Sequence, residues 1–370
     1  MNLAYIRKAL SEWYEVEQRH LPWRETTDPY CIWISEIILQ QTRVAQGLDY
    51  YLRFIEHFPT VADLARATEE EVLRLWQGLG YYSRARNLHA AAQQIMTTHH
   101  GIFPSQYTSI RALKGIGDYT AAAISSIAFN LPYAVVDGNV YRVLARLTNN
   151  PTPIDSTAGK KLFSQIATTL LDPNNPRTHN QAMMELGAIQ CVPGKPQCTE
   201  CPLYKVCEAA QANTVAQLPY KEKRTKITQR YFHYIYIEIE TTHEVFLHKR
   251  IEKDIWQHLY EPPLIETDHN ISTEELIQHS FFQALTQGSK KVEILGESST
   301  KHILSHQHIY AHMLHVRVDH INEKLKDYLI VPKEHEQNHP IPRLIELLKE
   351  NSTKSTFEQN NLQNHPKQEN

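Results

Sequence analysis

Apolar positions repeat with two different periods along the chain, and the change of period divides it in two. As far as about residue 190, apolar residues recur three and four positions apart, as on helices that bury one face. Clear examples are 61–80, 81–100 and 156–171. Beyond about residue 230 the period falls to two, which is typical of strands with one buried face. The pattern predicts an all-α region followed by an α+β domain.

The second region contains both strand and helix patterns. YFHYIYIEIE (231–240) and EVFLHKR (244–250) alternate in polarity and predict a hairpin, and HMLHVRVDHI (312–321) predicts another strand. Apolar residues at helical spacing predict helices at 272–285 and 341–350.

Changes in composition mark the predicted boundaries. We expect an all-α catalytic region over 1–213, with a subdomain around a cysteine cluster at 185–213. A polar, basic linker at 214–229 precedes the second domain at 230–350. The polar segment 351–370 is predicted to be disordered, because it has too few apolar residues to build a core.

Composition excludes a membrane protein. The 370 residues are 41% apolar and 21% charged, and no apolar stretch approaches the ~20 residues of a membrane span. We therefore expect a soluble, intracellular protein with no membrane partner. Separately, we expect a monomer. The net charge of −3 does not indicate nucleic-acid binding, but local basic patches decide that question. The basic stretch at 221–230 fits a solvated linker and a DNA contact equally well.

Four cysteines lie close together, with the spacing C-x6-C-x2-C-x5-C. An intracellular chain with such a cluster more often binds a metal than forms disulfides. Zinc sites usually come as two C-x2-C pairs, whereas one compact loop better suits a cubane cluster. The spacing favours one [4Fe–4S] cluster over zinc, which stays open as an alternative. The ligands would be Cys191, Cys198, Cys201 and Cys207.

A glycine turn at LKGIGDYTAAAISSIAF (113–129) opens a helix. Gly115 and Gly117 bracket Ile116, so backbone N–H groups at the helix start point outward and can bind a phosphate. An ordinary turn between two helices explains the glycines equally well.

Glu36 stands in the apolar run CIWISEIILQQT (31–42). Desolvation there would raise its pKa and keep a proton available at neutral pH. Asp137 precedes an amphipathic helix, where it would act as an N-cap and stay ionised beside backbone donors. An acid with an anion is the pair that glycosidic-bond cleavage requires. Alternatively, Glu36 pairs with Arg43 or lies on the wet side of its helix.

Three motifs together resemble the helix-hairpin-helix DNA glycosylase superfamily, which includes endonuclease III. They are the helix-hairpin-helix at 113–117, VDGN at 136–139 and the cysteine loop at 191–207. Further segments resemble the members that remove adenine, and with the motifs they cover most of residues 20–207. These are LPWR (21–24), SEIILQQTRV (35–44), QGLGYYSRARNL (77–88) and MMELGA (183–188).

The resemblance assigns catalytic roles. It implies that Glu36 protonates the adenine, that Asp137 stabilises the sugar cation, and that Asn139 orients Asp137. Tyr119 occupies the place where bifunctional relatives such as endonuclease III carry a Schiff-base lysine. A phenol cannot form that imine, so the resemblance implies a monofunctional glycosylase.

The resemblance also implies a partner, double-stranded DNA with adenine opposite 8-oxoguanine or guanine. Gln41 and Tyr81 match residues that wedge into the base stack, and Arg24 and Gln181 match positions near the extruded adenine. The expected place of action is the nucleoid of a bacterial cytoplasm.

The second domain resembles Nudix hydrolases, through the Trp-centred DIWQHLYEPPL (254–264). The hydrolase motif is absent from 261–290, so the resemblance implies a domain that reads 8-oxoguanine without hydrolysing nucleotides. Its lesion-reading loop would contain Ser305 and His306, with Leu304 where the family has phenylalanine.

Two other functions stay open at this point. The first is a glycosylase with lyase activity like that of endonuclease III, against which Tyr119 and the second domain argue. The second is a non-catalytic iron–sulfur DNA-binding protein.

Overall fold

The computed structural model describes residues 2–222 and 226–352, and these residues form two compact units. As far as they are described, the first unit comprises Met1–Ala67 and Asn87–Arg224, and the second comprises Thr68–Arg86 and Thr225–Asn370. Two separated stretches of sequence therefore contribute to each unit. The boundaries at 213 and 230 stay predictions from composition.

Twelve α-helices precede the first strand in the described part of the chain, which confirms the predicted helical core. They are α1 (Leu3–Glu17), α2 (Pro29–Ile38), α3 (Val44–His57), α4 (Val61–Arg66), α5 (Glu69–Leu75), α6 (Ser83–Thr98), α7 (Tyr107–Arg111), α8 (Asp118–Phe129), α9 (Gly138–Leu147), α10 (Thr157–Leu170), α11 (Pro176–Glu185) and α12 (Glu208–Gln211). Helix α5 belongs to the second unit, and α6 begins there.

Side-chain caps decide where α4 and α5 begin. Thr60 accepts a hydrogen bond from the backbone of Asp63, whose side chain binds the backbone of Thr60 in return. Thr68 and Glu71 form the same reciprocal arrangement at the start of α5. Each capping box satisfies two N–H groups that the first helical turn leaves free. The helical pattern at 61–80 therefore forms two short helices.

A buried apolar core holds together the helices that carry the candidate site. Ile6 and Leu10 of α1 pack with Leu144 of α9, Phe163 of α10 and Met183 of α11. Burial of such side chains contributes about 1.5–3 kcal/mol each to folding. The starts and ends of α9 and α11 are thereby fixed relative to α1.

The described residues of the second unit form a seven-stranded mixed sheet. The elements are β1 (Thr228–Ile239), β2 (Glu244–Lys249), β3 (Tyr260–Glu261), β4 (Leu264–Thr267), α13 (Thr273–Gln278), α14 (Ser280–Thr286), β5 (Val292–Ile303), β6 (Gln307–Val318), β7 (Leu329–Pro332) and α15 (343–352). The main order is β3-β2-β1-β6-β5, with β4 beside β1 and β7 beside β2. Strands β1 and β6 run parallel, and the other pairs are antiparallel.

The hairpin prediction is confirmed, because β1 and β2 pair with Glu238 opposite Val245. The single helix at 272–285 was wrong. His279 is extended there, and its ring nitrogen Nδ1 accepts a hydrogen bond from the Phe281 N–H, which starts α14. Strand β5 was not predicted, because half-exposed polar residues obscure its alternation. The predicted disordered tail lies outside the described residues from residue 353 onward, and α15 occupies its first two positions.

Candidate active site

One cavity of about 190 Å³ in the first unit brings together residues that are far apart in sequence. Its walls come from the segment before α2, from α2 itself, and from α8, α9 and α11. Six of the residues singled out from the sequence line it: Arg24, Glu36, Tyr119, Asp137, Asn139 and Gln181.

Glu36 lies on α2 among buried apolar residues, and it is itself only 8% exposed. Its Oε2 accepts a hydrogen bond from the Tyr119 hydroxyl at 2.7 Å. Burial raises the pKa of Glu36 to about 7, although the bond from Tyr119 opposes that rise. Among the described residues Glu36 forms no ion pair, and Arg43 is exposed. A substantial fraction of Glu36 therefore carries a proton at neutral pH.

Asp137 is the N-cap of α9, as predicted. Its Oδ1 accepts a bond from the Val140 N–H at 2.7 Å, and its Oδ2 accepts one from Asn139 Nδ2 at 3.1 Å. Burial raises the pKa of Asp137, whereas these bonds lower it because they stabilise the carboxylate. Glu36 and Asp137 thus differ in environment, because several donors stabilise the carboxylate of Asp137 and only one stabilises that of Glu36.

Arg142 links Asn139 to the backbone at the start of the cysteine loop. Arg142 donates to Asn139 Oδ1 at 2.9 Å, to the Gly187 carbonyl at 2.6 Å and to the Cys191 carbonyl at 2.7 Å. A Cβ on Gly187 would lie 2.7 Å from the Asn139 Cβ, so only glycine allows this approach. Arg142 therefore connects the orientation of Asn139, and through it Asp137, to the cysteine loop.

Arg24 and Gln181 are held by residues that the sequence analysis missed. Arg24 and Arg19 both donate to Glu185 Oε2 at 2.6 Å, and the Tyr14 hydroxyl donates to Gln181 Oε1 at 2.9 Å. Burial would raise the pKa of Glu185, but the two arginines lower it to about 2. Glu185 stands alone in the apolar run AMMELGA, the same signal that identified Glu36.

The glycine turn before α8 has the expected exposed geometry. Gly115 adopts φ +76°, and a Cβ there would lie 2.5 Å from the Asn87 Cβ. Gly117 is the N-cap of α8, and both glycines are exposed. Phosphate binding at this turn stays a prediction.

Gln41 follows α2 in a left-handed conformation, with φ +57° and an exposed side chain. Such a backbone is uncommon for a residue other than glycine, and residues held in this way often have functional roles. The structure places Gln41 outside the cavity lining, and its wedge role stays a prediction.

The second unit contains its own cavity of about 410 Å³, which collects the other predicted contacts. Tyr81 lines it with φ +48° and a 43% exposed side chain. Its hydroxyl donates to Ser305 Oγ at 3.0 Å, and Ser305 Oγ lies 3.2 Å from His306 Nδ1. Leu304 also faces this cavity. Tyr81, Ser305 and His306 were predicted separately, and the structure brings them together.

The four clustered cysteines line one further cavity of about 30 Å³. Arg146 also lines it and donates to Cys191 Sγ at 3.3 Å. No group of three His, Cys, Asp or Glu side chains in the described part of the chain is arranged to hold a single metal ion. Thiols that converge on one cavity beside a cation fit a group that four thiolates bind from different sides.

Comparison with known sequences shows which families and proteins the chain is similar to. Residues 34–166 match the model of the HhH-GPD superfamily of base excision DNA repair proteins, and 234–351 match the NUDIX domain. The chain is 33% identical to an adenine DNA glycosylase of Buchnera aphidicola from Acyrthosiphon pisum, and the match covers 93% of this chain and 97% of the relative. The human adenine DNA glycosylase is 42% identical, over 58% of this chain and 41% of its own length.

Solved structures agree on the fold of the helical part. A thermostable thymine-DNA glycosylase matches 57% of this chain and 97% of its own, at 28% identity and a TM-score of 0.53. An endonuclease III–DNA covalent intermediate matches at 22% identity with a TM-score of 0.50. No helix in the described ranges is long and apolar enough to cross a membrane.

Proposed function

The chain belongs to the adenine DNA glycosylase family of base excision repair, and we propose that it removes adenine mispaired with 8-oxoguanine or guanine in double-stranded DNA. The observation that carries this proposal is the cavity in which Glu36, whose pKa burial raises to about 7, and a hydrogen-bonded Asp137 face the same space. Adenine must leave the stack to reach such a cavity, as bases do in other glycosylases.

The proposed reaction uses the two carboxyl groups in different protonation states. Glu36 donates its proton to a ring nitrogen of adenine, and the N-glycosidic bond then breaks with its electron pair moving to the base. Asp137 stays ionised and stabilises the positive charge that develops on the sugar. Water adds to the anomeric carbon and loses a proton. The products are free adenine and an abasic site.

Tyr119 supports a monofunctional reaction. It hydrogen-bonds Glu36 inside the cavity, and a phenol cannot form the imine that strand cleavage by a lyase requires. Burial and the nearby Glu36 raise the pKa of Tyr119 well above its usual value, so it stays a donor. Arg24 and Gln181 would contact the flipped adenine.

Three features would position the DNA. The N–H groups around Gly115 and Gly117 would bind a phosphate, and Gln41 and Tyr81 would insert into the base stack. Insertion offsets part of the cost of unstacking the adenine. The left-handed backbones of Gln41 and Tyr81 and the exposure of both side chains support these roles.

Ser305 and His306 would recognise 8-oxoguanine. An oxidised guanine differs from guanine in carrying an N–H at position 7 and a carbonyl oxygen at position 8. A hydroxyl group can both accept from that N–H and donate to that oxygen. The cavity of the second unit places both side chains where the solvent reaches them.

The cysteine loop would hold one [4Fe–4S] cluster through Cys191, Cys198, Cys201 and Cys207. The four thiols share one cavity, and Arg146 lies beside them to offset the negative charge of thiolate ligands. A bound cluster would cross-link the loop, and the loop's carbonyl at Cys191 accepts from Arg142. We therefore propose that the cluster has a structural role.

The test is adenine release from a labelled duplex with one A:8-oxoguanine pair, assayed with and without alkali. We expect the wild-type protein to give strand breaks only after alkali. Glu36→Gln should slow release about 10³-fold, because general acid catalysis contributes on the order of 10²–10⁴.

Binding separates the alternatives. Glu36→Gln should keep its affinity for the mispaired duplex, since the substitution removes a proton donor and leaves the surface intact. Unchanged release in this variant would refute the proposed acid, and strand breaks without alkali would indicate a lyase.

A further inference from the structure

A tyrosine that no sequence signal identified contacts both side chains expected near the flipped adenine. Tyr14 of α1 is only 3% exposed, and its hydroxyl donates to Gln181 Oε1 at 2.9 Å. The Arg24 guanidinium lies over its ring, with the carbon Cζ 5.8 Å from the ring centroid. Tyr14 itself does not line the cavity.

The position of Tyr14 is set by the core of the first unit. Ile6, Leu10 and Tyr14 are four residues apart on α1, so they share one face of that helix, and all three are buried. Gln181 and Glu185 are likewise four residues apart on α11. Tyr14 therefore holds Gln181 while Glu185 holds Arg24, one helical turn further along.

A primary amide has an accepting end and a donating end, so its orientation decides what it can recognise. The buried Tyr14 hydroxyl needs an acceptor, and the amide oxygen of Gln181 is the acceptor that it contacts. Among the described residues, none accepts a hydrogen bond from the Gln181 amide nitrogen. That nitrogen is thus left to donate to a molecule in the cavity that Gln181 lines.

We propose that Tyr14 is a positioning residue that turns the Gln181 amide so that its NH₂ group donates to the flipped adenine. The proposal rests on the proposed function, because it needs a base in the cavity. Adenine presents ring nitrogens with free lone pairs, which a fixed NH₂ group can bind. Without the phenol, the amide could rotate and present its oxygen to those lone pairs.

The first test is Tyr14→Phe in the full chain, which keeps the ring and removes the hydroxyl. We expect single-turnover release of adenine from the A:8-oxoguanine duplex to slow about tenfold, the equivalent of one well-placed hydrogen bond. Affinity for the product duplex with an abasic site should not change, because that duplex offers no base to Gln181.

Tyr30→Phe is the matched control. The Tyr30 hydroxyl is also buried and donates to the Phe58 carbonyl at 2.6 Å, but it lies outside the cavity lining. This variant loses a hydrogen bond of the same kind and should release adenine at the wild-type rate. A slowing equal to that of Tyr14→Phe would show a general effect of stability and overturn the inference.

A double-mutant cycle with Gln181→Leu tests the route of the effect. If Tyr14 acts through the amide, Tyr14→Phe should cause no further slowing once Gln181 is leucine. Equal slowing in both backgrounds would overturn the inference and leave the proposed function intact. A wild-type protein that releases no adenine would refute the proposed function itself.

Discussion

The two cavities that collect the predicted site residues differ in how far they exclude water. In the first unit, Glu36 is 8% exposed and Gln181 7% exposed. Glu36 accepts a hydrogen bond from the half-buried Tyr119, and Gln181 accepts one from the buried Tyr14. In the second unit, Tyr81 is 43% exposed, and Ser305, which it contacts, and His306 are exposed as well. The second cavity is also about twice as large, at about 410 Å³ against 190 Å³.

The difference follows from what each site is proposed to do. A carboxyl group holds a proton at neutral pH only where desolvation penalises its charge, so the acid needs a closed site. A residue that reads a base within bound DNA must be accessible before binding. Burial thus supports chemistry in one cavity, and exposure supports recognition in the other.

Of three further tests, removing the charge of Asp137 should have the largest effect. Asparagine is also a good N-cap, so Asp137→Asn should leave α9 folded while the anion beside the sugar is lost. We expect adenine release to slow about 10²–10³-fold, the usual effect of removing one electrostatic stabiliser of a transition state. Single-turnover rates and a thermal melt measure the two effects, and wild-type release would refute the role.

The pH dependence of release tests whether burial of Glu36 matters. With a pKa of about 7, Glu36 is mostly protonated at pH 6 and mostly ionised at pH 8. Release should therefore fall about tenfold between these values, as the acid form is lost. At lower pH release should fall again, since Asp137 must stay ionised and burial raises its pKa.

Single-turnover rates across this range measure the profile. Glu36→Gln serves as the control, because a basic limb that persists in this variant would belong to another group. A rate that is flat from pH 6 to pH 8 in the wild-type protein would contradict the assignment.

Ser305→Ala tests recognition by the second cavity, and its expected effect is the smallest of the three. Loss of one exposed hydroxyl contact should weaken binding to A:8-oxoguanine about fivefold and leave binding to A:G unchanged. Titration of both duplexes measures this difference. Ser299→Ala is the control, an exposed serine of β5 that does not line the cavity. Equal losses on both duplexes would show that Ser305 does not read the lesion.

Local patterns predicted much of the fold. The reciprocal caps of α5, the hairpin of β1 and β2 and the N-cap at Asp137 all depend on residues within a few positions of each other. The break at His279 was missed, because a single imidazole cap does not change the periodicity of the apolar residues. Strand β5 was missed, because its residues are mostly exposed or half-buried and alternate weakly in polarity.

By itself, the sequence identified the carboxyl pair, the glycine turn and the four cysteines, since each stands out against its immediate neighbours. The tertiary structure alone decided that Tyr119 hydrogen-bonds Glu36, that Tyr14 holds Gln181 and that Tyr81 contacts Ser305. These partners are 83, 167 and 224 residues apart. No periodicity extends over such distances, and only the packing of the folded units brings those hydroxyl groups to their acceptors.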